Sequence, residues 1–233
     1  MAAPGSPPDD ATAALIDLMV RAEVLRFGDF VGKSGRRMPY FVNFGAFRTG
    51  SHLAALGRAY ADRLVATFGR DIDVLFGPAY KGIPLAVSAA VALADHHSLE
   101  VGVCFDRKEA KDHGEGGLLV GHPLADGDRV VIVEDVTTAG TSIRASIPLL
   151  RHHAEVDVIG LIVGADRRER AGDDQRSALD LLAEEFGLRT TSLVTIDDIV
   201  AHLRDREIDG RRVLGDEDLA RIAAYRAEYG ATA

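Results

Sequence analysis

Lysine is scarce in this sequence. Of 27 basic residues only four are lysine (Lys33, Lys81, Lys108 and Lys111), and the other 23 are arginine. Cysteine is scarcer still. A single residue, Cys104, excludes an internal disulfide and a multi-cysteine metal site. Positive charge is in deficit, because 36 acidic residues set the net charge at −9. That balance argues against a nucleic-acid or anionic-membrane binder, which needs a basic face. No apolar run is long. The longest, Ile83 to Ala94, falls well short of the roughly 20 residues of a spanning helix. Met1 to Asp10 has no basic residue and no apolar core, so it does not read as a secretory signal. Pro4, Gly5, Pro7 and Pro8 mark residues 1–10 as a frayed tail. A cytoplasmic protein is expected.

What is present suits a folded enzyme-sized chain. The 233 residues are 47% hydrophobic, enough for a core and one large domain. Ala11, Leu15, Leu18, Ala22 and Leu25 recur at helical spacing, with Asp9 or Asp10 as cap. A Gly- and Arg-rich turn at Gly32 to Arg37 precedes an expected strand at Tyr40 to Phe44. Ser51 to Phe68 has helical spacing again. From there strands and helices alternate. The strands are Val74 to Phe76, Val101 to Phe105, Val130 to Val133, Val156 to Val163 and Thr191 to Thr195. The helices are Gly82 to Ala94, Ile143 to His153 and Gln175 to Phe186, and the remainder reads as helical and polar. This alternation predicts an α/β fold with a mainly parallel sheet flanked by helices. Such sheets bind ligands at the carboxyl ends of their strands.

Two strand ends stand out. Val130 to Val133 delivers Glu134 and Asp135, then Val136, Thr137, Thr138, Ala139, Gly140, Thr141 and Ser142, where a helix begins. Unpaired N–H groups at a helix start suit a phosphate, and small residues let the backbone approach it. The carboxylates can bind sugar hydroxyls or a metal-bound ligand. Together these features describe a ribose-phosphate site. Helix capping alone accounts for one hydroxyl, not for two acids and four hydroxyls. The second strand end is Phe105 to Gly117. It collects Arg107, Lys108, Lys111 and His113, then three glycines. A solvated charge run reads this way, and so does a lid that combines cations with flexibility to close over a diphosphate.

The segment from Val130 to Ser142 resembles the phosphoribosyl-diphosphate-binding motif of the type I phosphoribosyltransferases. Phe105 to Gly117 is similar to the catalytic loop of the orotate phosphoribosyltransferases. Three further segments agree in order. Phe76 to Pro84, with Tyr80 and Lys81, looks like the diphosphate loop. Lys33 to Asn43, with Phe41 and Val42, looks like the segment over the base. Asp166 to Arg170 supplies Arg167. Glu134 replaces the commoner first aspartate, and Val42 stands where many orotate enzymes have a second phenylalanine.

The resemblance implies a type I phosphoribosyltransferase fold with a small N-terminal hood and a mobile catalytic loop. The domain with its hood is expected at 11–202, and the charged stretch after Leu203 reads as a C-terminal helical extension at 203–233, a departure because the chain beyond Arg170 is longer than in compact bacterial examples. The implied reaction joins orotate to the ribose 5-phosphate of phosphoribosyl diphosphate, with magnesium held mainly through substrate and water. Lys33, Tyr80, Lys81, Arg107, Lys108, Lys111 and His113 would meet the diphosphate, and Glu134 and Asp135 the ribose. Thr137 to Ser142 would hold the 5-phosphate, with Val136 beside them in the same phosphoribosyl-diphosphate site. Phe41, Val42, Thr138 and Arg167 would meet orotate, Arg167 through its carboxylate. Lys81, Arg107, Lys108, Lys111, His113 and Asp135 would carry catalysis. The lid of one subunit would close over its neighbour's site, which implies a homodimer.

Other readings compete. Gly28 to Ser34 looks like a nucleotide-binding P-loop, but one residue is missing between the glycines, and Arg36, Arg37 and Pro39 follow where a helix should begin. A non-catalytic sensor of phosphoribosyl diphosphate shares the fold, and a transferase acting on another base shares the phosphate motif.

Overall fold

The structure, a computed structural model, describes residues 8–32, 35–111 and 117–232, with the backbone alone for 109–111. Helix α1 (Asp10–Arg21) is capped by Asp9, whose carboxylate accepts the Thr12 N–H at 2.7 Å. The helix stops short of the expected Leu25. Glu23 takes a positive φ of 57°, which turns the chain, and Leu25 opens strand β1 (Leu25–Val31). Leu25 is still buried, so the apolar spacing was real while the backbone beneath it changed. β1 pairs antiparallel with β2 (Arg37–Val42), with a bulge between Phe27 and Phe30. This ribbon is the hood. The expected strand at Tyr40 to Phe44 therefore lies earlier. Asn43 ends it, accepting the Gly45 N–H at 3.1 Å and capping a single 3-10 turn at Phe44–Ala46. Gly28 lies inside β1, and the next described element after the Gly28 to Ser34 stretch is the strand β2 rather than a helix, which removes the P-loop reading.

Helix α2 (Gly50–Phe68), strand β3 (Val74–Phe76) and helix α3 (Gly82–His97) follow. Then come β4 (Gly102–Lys111), β5 (Gly117–Gly121), β6 (Arg129–Glu134), α4 (Thr141–His153) and β7 (Asp157–Asp166). Helix α5 (Ala178–Phe186), β8 (Arg189–Thr195) and α6 (Ile196–Leu203) complete the alternation. A short ribbon, β9 (Glu207–Ile208) with β10 (Arg211–Arg212), leads to α7 (Asp216–Tyr229).

The main sheet runs β5-β4-β3-β6-β7-β8, with β5 antiparallel and the other strands parallel. Its strands are apolar on both faces. Leu75, Val131, Val133 and Ile162 join the core shared with α1, α2, α3 and α6. Val74, Phe76, Val130, Ile132 and Leu161 join a second core with α4 and α5. This is the period-two alternation of a sheet covered on both sides.

One expectation changes at β4. The polar stretch after Phe105 does not leave the sheet at once. β4 continues to Lys111 and pairs with β5, Asp106 opposite Leu119 and Lys111 opposite Gly117. Main-chain pairing needs no apolar side chains, so a charged run beyond the core can remain a strand. Residues 112–116 lie outside the described residues.

Helix α7 packs against the hood. The Tyr225 ring meets Tyr40 edge-on at 5.9 Å, and Ile208, Leu214 and Ile222 are buried in the larger core. Among the described residues, no helix is long and apolar enough to cross a membrane.

Candidate active site

The order of the sheet places the site. From β3 the chain steps outward to β4 in one direction, and from β6 it steps to β7 and β8 in the other. The loops after β3 and β6 therefore diverge at adjacent strand ends, and that crevice is where open α/β sheets bind ligands. Lys81, in the loop after β3, and Asp135, just after β6, meet there: Lys81 Nζ donates to Asp135 Oδ2 at 2.8 Å. The Asp135 carboxylate is buried and the Lys81 ammonium is half-exposed.

The β3 loop is folded tightly onto itself. A Cβ on Gly77 would lie 2.3 Å from the Gly82 carbonyl oxygen, so no side chain fits there. The closure presents Tyr80 and Lys81 outward, Tyr80 at 70% exposure, and the Ala79–Tyr80 peptide is cis. Asp106, on β4, ties the loop down by accepting the Ala79 N–H at 2.6 Å.

Glu134 is buried beside Asp135 and takes no part in its ion pair. Its Oε1 accepts the Asp135 N–H at 3.1 Å and its Oε2 accepts the Ser142 hydroxyl at 3.2 Å. The Tyr60 hydroxyl donates to its main-chain carbonyl at 2.8 Å, fixing the strand end from below. Burial pushes the Glu134 carboxyl up to about 7, with the neighbouring Asp135 charge adding to the rise. An acid in that state can give or accept a hydrogen bond near neutral pH.

The loop from Val136 to Gly140 leads into α4. Gly140 occupies the N-cap with φ 71° in the left-handed region, which glycine adopts freely, and no side chain caps the helix. The hydroxyls that could have capped it are elsewhere. Thr137 Oγ1 accepts the Gly140 N–H at 3.0 Å, and Ser142 is turned to Glu134. Thr138, Ala139, Thr141 and Ser142 are exposed. The start of α4 thus offers N–H groups without a side-chain acceptor, the arrangement a phosphate fits.

Beyond β7, Arg167 Nη2 donates to Thr138 Oγ1 at 2.7 Å, so these two expected base contacts are neighbours. Arg167 also lies 3.6 Å from the Met38 sulfur and 3.4 Å from Glu169 Oε2. Phe41 is not gathered with them. Along β2, Met38 and Tyr40 face Arg167 and Glu169, while Phe41 stacks on Phe30 at 5.5 Å with Arg26 over its ring. Val42 is partly buried at the end of β2. Lys108 is exposed on β4 beside Arg107, and Lys111 follows on the same strand. Lys33 and His113 lie outside the described residues. The sequence reading missed Glu169, Tyr40 and Tyr60 as site residues. Glu169 was in view inside the Asp166 to Arg170 run, but a lone acid among arginines carries no pattern of its own.

No group of three or more histidine, cysteine or acidic side chains able to hold a metal ion occurs among the described residues. The donors at hand are one pair of carboxylates. They fit a hard cation that takes most of its ligands from substrate oxygens and water.

The fold and the site define a class. The family model described as a phosphoribosyl transferase domain matches residues 46–194, and the chain belongs to that family. Within it, the chain stands among the orotate phosphoribosyltransferases. It is 49% identical to the orotate phosphoribosyltransferase of Lachnoclostridium phytofermentans, over 94% of this chain and 96% of that one. It is 50% identical to that of Clostridium acetobutylicum, over 92% and 96%. The crystal structure of the Francisella tularensis orotate phosphoribosyltransferase superposes with a TM-score of 0.80 at 32% identity, over 94% of this chain and all of that one.

Proposed function

We propose that the protein transfers ribose 5-phosphate from phosphoribosyl diphosphate to orotate, giving orotidine 5′-phosphate and diphosphate in pyrimidine synthesis. The observation that carries the reading is the Lys81–Asp135 pair at the β3/β6 crevice, beside an α4 N-terminus that no side chain caps. The 5-phosphate would rest on Thr137 to Ser142. Glu134 and Asp135 would hold the ribose hydroxyls. Arg167 and Thr138 would take the base, the guanidinium fork matching its carboxylate.

The base nitrogen of orotate already carries negative charge, so no strong general base is required. The demanding event is departure of the diphosphate as positive charge grows on the ribose. Lys81 would exchange its Asp135 partner for a diphosphate oxygen, which frees Asp135 for the sugar. Arg107, Lys108 and Lys111 stand on one strand beside this crevice, and with Lys33 and His113 they would add positive charge on the leaving group. Electrostatic preorganisation of this kind is usually the largest catalytic contribution. Glu134 and Asp135 are the carboxylates that would help hold magnesium, and that ion would supply further positive charge to the leaving group.

We also infer a homodimer. Val87 and Val91, one turn apart on α3, are 44% and 57% exposed, and Tyr80 is exposed just ahead of the same helix. Such an apolar stripe beside the site supports a subunit contact there.

A panel of bases incubated with the protein, magnesium and phosphoribosyl diphosphate tests the function. Loss of the orotate absorbance with stoichiometric diphosphate release is expected, and no loss when magnesium is chelated. Preferential consumption of another base would contradict the reading.

A further inference from the structure

Glu169 is a buried carboxylate that the reaction does not use directly, yet it gathers the surroundings of Arg167. Its Oε1 accepts the Tyr40 hydroxyl at 3.1 Å. Its Oε2 faces two guanidiniums, Arg167 at 3.4 Å and Arg36 at 3.7 Å. Two guanidiniums and one carboxylate leave one net positive charge, which suits a ligand bearing a single carboxylate. Arg167 also has capacity to spare. Its Nε is buried with no hydrogen-bond partner among the described residues, while Nη2 is held by Thr138.

The C-terminal segment holds this cluster from behind. Arg36 lies over the Tyr229 ring, 4.3 Å from its centre. The Arg170 N–H donates to the Tyr229 carbonyl and the Ala231 N–H donates to the Arg168 carbonyl, both at 2.8 Å. Glu169 itself bridges to Gly230. The backbone that carries Arg167 and Glu169 is therefore pinned to residues 229–231.

We propose that Glu169 is a positioning residue that aims Arg167 at the carboxylate of the base, and that residues 229–231 hold it in register. The segment then sets affinity for the base rather than turnover. This rests on Arg167 being the contact for that carboxylate.

Steady-state kinetics in both substrates test it. Glu169→Gln keeps the shape and the Tyr40 contact but removes the charge. It should raise the KM for orotate about tenfold, the range for one charge-assisted hydrogen bond, and leave kcat and the KM for phosphoribosyl diphosphate within about twofold. Tyr229→Leu, which keeps both charges and removes the ring under Arg36, should show the same split at smaller size. It carries the test if Glu169→Gln does not fold. An unchanged orotate KM, or equal shifts in kcat and both KM values, would overturn the proposal. Arg167→Ala separates the two layers. If it leaves the orotate KM unchanged, the assignment of Arg167 falls. If it raises that KM while Glu169→Gln does not, only the positioning role falls.

Discussion

Burial holds the Glu134 carboxyl near pH 7, and the sign of its effect on stability follows. The folded value lies above the unfolded one, so the native state binds the extra proton between about pH 4.5 and 7. Stability from this group is full below that window and is lost as pH rises through it. Glu134→Gln cannot ionise, so its stability relative to wild type should grow from pH 5 to pH 8, by up to about 3 kcal/mol. Urea denaturation of both proteins across that range measures the difference, and a constant offset would refute it. At this scale legibility depended on sequence locality. Glu134, Asp135 and the hydroxyls of the loop are adjacent, so their chemistry could be read directly. Lys81 was legible from its place between two glycines at a strand end. Glu169 was not, because the partner that explains it, Tyr40, is 129 positions away. Phe41, a base contact by resemblance, stacks on Phe30 with Arg26 over its ring, contacts that the sequence did not announce.

Elements were easiest to read where both faces are buried. The short apolar runs of β3, β6 and β7 have no competing pattern, and their strands form close to where the residues predict. The hood was harder. Gly28 and Asp29 interrupt the alternation of β1, and the helical spacing of α1 continues to Leu25, past the helix end at Arg21. The β4–β5 hairpin was hardest, because its outer part has charged residues where apolar ones would signal a strand. That extension places Arg107, Lys108 and Lys111 on one strand beyond the core. If the strand delivers cations to the leaving group, Lys111→Ala should lower kcat about a hundredfold while the orotate KM changes little. A raised KM with unchanged kcat, measured in the steady state, would remove the hairpin from the chemistry.

For the whole molecule, the scarcity of lysine now has a location. Lys81 is at the crevice, and Lys108 and Lys111 are on the adjoining strand. A compact ammonium can move between a carboxylate and a diphosphate oxygen more readily than a planar guanidinium fork. Assembly has its own test. Val91→Glu places a charge in the exposed apolar stripe of α3 and should convert a dimer to monomers by sedimentation velocity. Specific activity should fall about tenfold or more if the neighbour completes the site. A monomeric wild type would end the dimer reading. The pinning of Arg168 and Arg170 by residues 229–231 also bears on how the protein comes into being. A ribosome finishes every strand of the sheet, the acid pair and the phosphate loop before it makes Tyr225 or Tyr229. The half of the crevice that would grip ribose phosphate can therefore form on the nascent chain, while the half that would select the base waits for α7.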